Sequence, residues 1–290
     1  MSKITVLMSV YIKDNPEYFE RALRSIWDDQ ERKPDQIVLV EDGPLTDVQY
    51  DIVDRFHREV GDVMTIVAND ENRGLPAALN NGIEYCTGDY VARMDSDDIA
   101  LPARLSLEED YLEQHPEIAV VGGSIEEFNS QGDIRGVRTY PEDDHEIRNY
   151  ICKANPMAHP TVMIRRDAVF GRGLRYKENR LWTQDYCLWV DCVSEGIRIS
   201  NIHDVVLRFR RDDQTLKRRG NLKARNEELR VYSNAIARLH GRISWRYIFP
   251  VARYLFRLMP DGFVRKLYHA DIRQKIMYGK RGRGKTSPKK

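Results

Sequence analysis

The sequence predicts an α/β fold, with a mostly parallel central sheet flanked by helices and a basic helical arm at the C-terminus. Three observations carry this prediction. Short apolar runs rich in β-branched residues alternate with segments of helical periodicity to about residue 123. Two acidic clusters directly follow two of those runs, at the sheet edge where ligands of open α/β sheets bind. The charge is also divided: of 46 Lys/Arg and 45 Asp/Glu, residues 241–290 hold 14 and 2, leaving 32 and 43 in the body. An acidic body with a basic arm is a two-part molecule.

The elements follow in order. Ile4–Val10 is a strand. Asn15, Pro16 and Glu17 then supply an N-cap, a first-position proline and an early acid, and Phe19, Ala22, Leu23 and Ile26 follow at helical spacing. Ile37–Val40 is an uninterrupted apolar run, the mark of a strand buried on both faces. Thr46 and Gln49 have capping-box spacing, and Ile52, Val53 and Phe56 continue that helix. Strand Met64–Val67, helix Pro76–Tyr85, strand Tyr90–Met94, helix Pro102–Gln114 and strand Ile118–Val121 complete the alternation. Such alternation implies right-handed βαβ units. Beyond it, Asn129–Asp133 reads as a turn, Pro160–Ile164 as a strand, Gln184–Ser194 as a helix and Val205–Phe209 as a strand.

Composition excludes several classes. With 41% apolar and 31% charged residues the chain can bury a core. It has no run of about 18 apolar residues, so no membrane-spanning helix is expected. The N-terminal stretch has a short apolar run and no small-residue cleavage site, so no signal peptide is expected either. Cys86, Cys152, Cys187 and Cys192 lack metal-site spacing and read as reduced thiols of a cytosolic protein.

The acidic clusters are Glu41-Asp42-Gly43 after the second strand and Asp95-Ser96-Asp97-Asp98 after the fourth. Asp-x-Asp at a strand end places two hard oxygen ligands near a divalent cation that also holds a diphosphate. A solvated acidic turn is the other reading of the bare triplet. A calcium loop of the EF-hand type needs Gly at its sixth position and Glu at its twelfth, and these are Ala100 and Ser106 here.

Four blocks in order resemble the successive signatures of family 2 glycosyltransferases. They are Ser9-Val10-Tyr11, Val40-Glu41-Asp42-Gly43, Asn72-Arg73-Gly74-Leu75 with Ala78, Asn80 and Gly82, and Met94-Asp95-Ser96-Asp97-Asp98. The resemblance spans about residues 3–215 and implies the GT-A fold and a nucleotide-diphosphate sugar donor. It implies donor contacts from Ser9, Tyr11, Asp42, Asn72, Arg73, Asp95 and Arg210, with Asp42 accepting the uracil N3–H, which favours uridine. Glu41 departs from the more usual Asp. Asp97, with Asp95, is implied to hold Mn²⁺ or Mg²⁺, while Asp98 is read equally as the N-cap of the next helix. Thr183-Gln184-Asp185-Tyr186 resembles the segment carrying the catalytic base, with Asp185 at that position and Gln184 where Glu is usual. One base opposite the leaving group implies inversion. His159 matches a position near the acceptor, or is a structural histidine. Arg208, Arg210 and Arg211 read either as basic residues near the diphosphate or as plain surface arginines.

Processive members carry Gln-x-x-Arg-Trp, and the nearest text here, Gln214 to Arg218, lacks the Trp, so single addition is implied. A nucleotidyltransferase would carry a Gly-rich phosphate loop after the first strand, where this chain reads Val10-Tyr11-Ile12-Lys13-Asp14. A catalytically silent nucleotide-sugar or lipid-surface binding protein would tolerate loss of Asp185.

The organisation read from the sequence is a nucleotide-sugar-binding half (1–123), an acceptor half carrying the base (124–215), a basic amphipathic arm (216–278) and a disordered basic tail (279–290). In the arm, Arg242, Arg246, Arg253 and Arg257 fall within roughly 60° of one helical face, among Trp245, Ile248, Phe249 and Leu255. Pro250 breaks the segment or begins its second helix. Such an element either lies on an anionic membrane surface or packs on the body with its arginines outward. The acidic body opposes nucleic-acid binding. Together with the family, this suggests an enzyme at the inner face of the cell membrane, moving galactose or glucose from a UDP-sugar to a lipid-linked saccharide of bacterial O-antigen, capsule or exopolysaccharide.

Overall fold

The computed structural model describes residues 2–180, 182–211 and 222–256. Its first half is a four-stranded parallel sheet. Strand β1 (Ile4–Val10) lies between β2 (Gln36–Glu41) and β4 (Tyr90–Met94), and β2 also pairs with β3 (Met64–Ala68). The intervening helices are α1 (Pro16–Trp27), α2 (Asp47–Val60) and α3 (Leu75–Ile83). Their start signals work as read: Asn15 accepts from the N–H groups of Glu17 and Tyr18, and Thr46 and Gln49 complete a capping box. The strands are buried on both faces because helices cover both. Phe19, Leu23, Ile52 and Phe56 of α1 and α2 join Val6, Met8, Ile37 and Leu39, whereas Ala78, Leu79 and Ile83 of α3 meet Leu7, Val38 and Val40.

The second half adds β5 (Ile99–Ala100), α4 (Arg104–Gln114), β6 (Ile118–Phe128), β7 (Ile134–Arg138), α5 (Asp144–Tyr150), β8 (Met163–Arg165), α6 (Arg166–Val169), α7 (Gln184–Ser194) and β9 (Arg198–Arg210). The sheet order is β3-β2-β1-β4-β8-β6-β9-β5, with β7 on β6. Strand β8 is antiparallel to both β4 and β6, and β9 is parallel to β6. Six of the nine strands among the described residues therefore run the same way, although β6 is parted from β4 by β8.

Two readings of the second half are corrected. Pro160–Ile164 is not one strand, since His159–Thr161 forms a 3₁₀ turn and only Met163–Arg165 pairs. Proline at the second position of this turn lacks the N–H a ladder needs. Strand β6 runs past Val121 to Phe128 through Gly122 and Gly123, which lie against Asn201 and Val206 of β9 more closely than a Cβ allows.

The arm comprises α8 (Leu222–His240), a 3₁₀ turn at Trp245–Tyr247 and α9 (Ile248–Phe256), with Pro250 in the first turn of α9. It is docked on the body. Tyr232 of α8 stacks on Tyr186 of α7 with ring centroids 4.1 Å apart. Arg253 lies over Tyr232 at 4.4 Å and donates to Glu228 at 2.8 Å. The arginines therefore do not form one outward face. Arg242 is exposed, Arg246 reaches Asn149 of α5 and Arg253 turns inward, because the 3₁₀ turn breaks the helical phase the spacing assumed. Arg257, Gln214 to Arg218 and the tail 279–290 lie outside the described residues. No helix among the described residues is long and apolar enough to cross a membrane, and the four cysteines are free.

Helix α3 approaches the sheet through Gly82, where an added Cβ would meet Leu7 Cδ1 at 2.5 Å and Val40 Cγ2 at 2.6 Å. Gly82→Ala should cost about 1–3 kcal/mol by overpacking, read as a lower urea midpoint. An unchanged midpoint would mean that α3 can lift from the sheet without penalty.

Candidate active site

The carboxyl ends of β1, β2 and β4 converge, and loops from all three are tied together there. Asp42 ends β2 and is almost fully buried. Its Oδ1 accepts from the Arg73 N–H at 2.9 Å and from Asn69 Nδ2 at 3.2 Å, while its Oδ2 accepts from the Gly74 N–H at 2.9 Å. Asn72 Nδ2 donates to the Asp42 carbonyl at 3.2 Å. Gly43, at φ +85°, lets this crossing occur, since a Cβ would lie 2.6 Å from the Asn72 nitrogen. The carboxylate thus fixes the turn that opens α3. The Arg73 side chain itself is half exposed, 3.6 Å from Glu178.

The acidic loop after β4 is held from the β1 side by Asp14. Its Oδ2 accepts from the Ser96 hydroxyl at 2.7 Å and from the Tyr11 N–H at 3.2 Å, and the Tyr11 carbonyl accepts from Gln49 at 3.0 Å. Ser9 stands near the end of β1, in register with Val40. Asp95, Asp97 and Asp98 each offer an oxygen within 4.8 Å of the others. Asp98 caps no helix: α4 starts at Arg104 after Ala103, and the buried Asp98 carboxylate instead accepts the Arg210 N–H at 2.8 Å. Its second oxygen has no partner among the described residues.

Negative charge is crowded in this loop. Asp97 keeps solvent contact, yet desolvation by the surrounding chain, then the charges of Asp95 and Asp14, push its carboxyl up to about 7 against the pull of Arg93 and Arg210. Burial, followed by Asp97 and Asp95, raises Asp98 as well. Clustered hard oxygens short of positive charge, one of them orphaned, fit a divalent ion of the Mg²⁺ or Mn²⁺ kind. Arg210 closes the cluster: its Nε donates to the Asp97 carbonyl at 2.9 Å, and its guanidinium lies over Tyr18 at 3.5 Å and Phe128 at 4.5 Å. Arg208 and Arg211 are engaged elsewhere, by Glu126 and Glu127 of β6.

The second wall comes from α7. Asp185 occupies its first turn and accepts from Asn155 Nδ2 at 2.5 Å. The buried Tyr176 links the walls. Its phenol is raised by burial and lies within the fields of Arg93, Asp185 and Asp95, and it bonds His159 Nε2 at 2.9 Å. Asn80 clamps the Tyr176 backbone on both sides, at 2.9 Å to its N–H and 2.9 Å to its carbonyl. His159 is itself buried, beside Trp189, and desolvation followed by Arg93 drives its pKa well below the ordinary value, so it is a neutral partner of Tyr176.

Residues read from six chain segments thus lie at or beside this sheet edge: Ser9 and Tyr11, Asp42, Asn72 and Arg73, Asp95 to Asp98, Asp185, and Arg210. His159 lies beneath it. Four residues escaped the sequence reading: Asp14, Arg93, Asn155 and Tyr176. Only Arg93 announced itself, as a charge in the otherwise apolar strand Tyr-Val-Ala-Arg-Met. It is fully buried and hydrogen-bonds Asp95.

The model of glycosyl transferase family 2 matches residues 5–174. The chain belongs to glycosyltransferase family 2. Among its relatives, the amylovoran biosynthesis glycosyltransferase AmsE of Erwinia amylovora is 32% identical over 92% of this chain and 98% of its own. The UDP-Gal:alpha-D-GlcNAc-diphosphoundecaprenol beta-1,3-galactosyltransferase of Escherichia coli is 28% identical over 94% and 97%. Among solved structures, residues 1–349 of S. aureus TarS in complex with UDP-GlcNAc superpose with a TM-score of 0.61 at 17% identity, covering 96% of this chain and 76% of that one. The fold is GT-A, and this family 2 glycosyltransferase is a transferase of the EC 2.4 class.

The raised carboxyl has a consequence for stability. Asp97 titrates near 7 in the fold but close to 3.8 when unfolded, so the fold binds the extra proton between these values and loses stability as pH rises through them. With chelator present, Asp97→Asn should match the wild-type Tm near pH 4 and exceed it by pH 8, and Mn²⁺ or Mg²⁺ should close the gap by stabilising the wild type. Parallel Tm profiles with and without the ion would remove the cation assignment.

Proposed function

We propose that this enzyme is an inverting, metal-dependent hexosyltransferase. In this reading it moves galactose or glucose from a UDP-sugar to a polyprenyl-diphosphate-linked saccharide in bacterial surface polysaccharide synthesis, working at the cytoplasmic face of the membrane. The observation that carries the reading is the cluster Asp95, Asp97 and Asp98 at the carboxyl end of β4 in a family 2 fold, with Asp185 in the first turn of α7. In this reading Asp185 faces the cation-binding cluster across the bound sugar, as displacement at an anomeric carbon requires. The specificity named for the E. coli relative and the UDP-GlcNAc bound to TarS support the donor and acceptor classes.

Asp185 accepts the proton of the acceptor hydroxyl as the new oxygen–C1 bond forms. The C1–oxygen bond to UDP breaks on the opposite face, which gives inversion. The Asn155 amide orients the carboxylate, which sits in the first turn of α7. Asp97 and Asp95 would hold Mn²⁺ or Mg²⁺, whose role when bound is to neutralise charge on the departing diphosphate. Arg210 adds a fixed positive charge beside the same loop. Ser9, Tyr11 and Asp42 receive the base and ribose, and a carboxylate already fixed by three donors suits an imide N–H. Asn72 and Arg73 extend this wall toward the phosphates. His159 acts through Tyr176 rather than by touching the acceptor. Residues 241–290 supply the affinity for an anionic membrane surface.

UDP release with Mn²⁺ across a panel of nucleotide sugars, with and without a GlcNAc-diphosphate-lipid analogue, tests this. Release from one UDP-sugar that rises with acceptor is the expected result. Absence of UDP binding would end the donor reading. Asp185→Asn should keep UDP and metal binding while losing transfer by about 10²–10⁴-fold. Wild-type turnover in that variant would remove the base assignment.

A further inference from the structure

Helix α9 is apolar on two sides, and only one is used. Phe249 packs toward the core, with the Lys153 ammonium 5.3 Å from its ring, Pro250 is buried and Arg253 is bound to α8. On the other side Ile248, Val251 and Leu255, spaced three and four residues apart, form a single stripe. With Ile243 and Trp245 just before them, these five large apolar side chains are between 46% and 99% exposed. Trp245 is braced rather than loose, since its ring meets Phe249 edge-on at 5.4 Å and the Arg246 guanidinium lies 5.4 Å from it.

We propose that this apolar stripe, not an arginine face, is the surface by which the enzyme inserts into an anionic lipid interface. The inference rests on the reading of a lipid-linked acceptor and adds the surface that meets the bilayer. Charge selects the occupant. The exposed Arg242 borders the stripe, and residues 257–290, directly after it, carry 11 Lys/Arg and 2 Asp/Glu. The body, with 43 acidic and 32 basic residues, is repelled by an anionic surface. The molecule is thus polarised so that the arm alone approaches anionic lipid head groups, which brings the stripe to the acyl boundary. A second copy would present the same positive charge and be repelled. Nucleic acid would leave the aliphatic side chains in water. A rigid stack continues inward from Arg253 through Tyr232 to Tyr186, the residue after Asp185, so the docked surface is fixed relative to the helix carrying the proposed base.

The test uses the full chain and phosphatidylcholine vesicles with and without phosphatidylglycerol. Wild type should bind the anionic vesicles. Combined Trp245→Ser, Ile248→Ser and Leu255→Ser should weaken partitioning on the order of a hundredfold, with UDP binding and thermal unfolding unchanged. Arg242→Gln should weaken it only a few-fold, and only at low salt. Wild-type partitioning of the triple variant would overturn the proposal, as would failure of the wild type to bind. A wild-type dimer that the triple variant converts to monomer, with vesicle binding unchanged, would make the stripe a subunit contact instead. Vesicle binding is read without turnover, so a failed stripe leaves transfer to a soluble acceptor analogue intact. Failure of the functional reading appears instead as absent transfer by a protein that still binds lipid.

Discussion

One buried guanidinium underlies the site. Arg93 sits within β4, fully enclosed, where an isolated charge would be prohibitively costly. Asp95 compensates it by direct hydrogen bonding, and the fields of Arg93 reach Asp97, Asp98, His159 and Tyr176. Two of its nitrogens have no hydrogen-bond partner among the described residues, so much of its charge acts through space. Burial, seconded by the same charge, keeps His159 neutral, and that charge makes the crowding of carboxylates after β4 tolerable. A second interior pair supports it from behind: Arg104 donates to the Arg93 carbonyl at 2.7 Å and to Glu108 at 3.2 Å. Replacing either arginine by an apolar residue would leave carboxylates stranded in low dielectric.

The parallel half was legible because its signals are local. Caps, apolar runs and strand ends lie within a few residues of each other, and Asn15, Thr46 and the Ile37–Val40 run each needed no knowledge of the remainder of the chain. The second half was less legible because its strands are defined by distant partners. Met163–Arg165 is too short to show periodicity and becomes a strand only because β4 and β6 leave a gap of its width. Likewise Asp14 looks like any loop acid, and its partner Ser96 lies 82 residues away. The motif residues of the site were readable, while the residues that hold them, Asn155 and Tyr176 among them, were not. Arg93 was the exception that the apolar rule for buried strands should have flagged.

The arm shows how a sequence period can mislead. Arginines at intervals of four and seven form a face only if one helix runs through them, and the 3₁₀ turn at Trp245–Tyr247 resets the phase. Arg253 then serves the interior, where Glu228 and the Tyr232 ring satisfy it. What remains outside on α9 is the hydrocarbon of Ile248, Val251 and Leu255.

Strand β8 bears on the order in which the molecule assembles. Three residues long, it alone among the described strands lies between β4 and β6, and it pairs Arg165 with Tyr90 across a long stretch of chain. Closing that loop costs conformational entropy before the short ladder returns much in exchange. The parallel layer of residues 4–94, with its local crossovers, has no such debt and can form early. The Asp95 loop and Asp185 belong to segments on either side of the late joint. The acidic loop and the start of α7 are thus brought into one fold only when this short, non-local ladder closes.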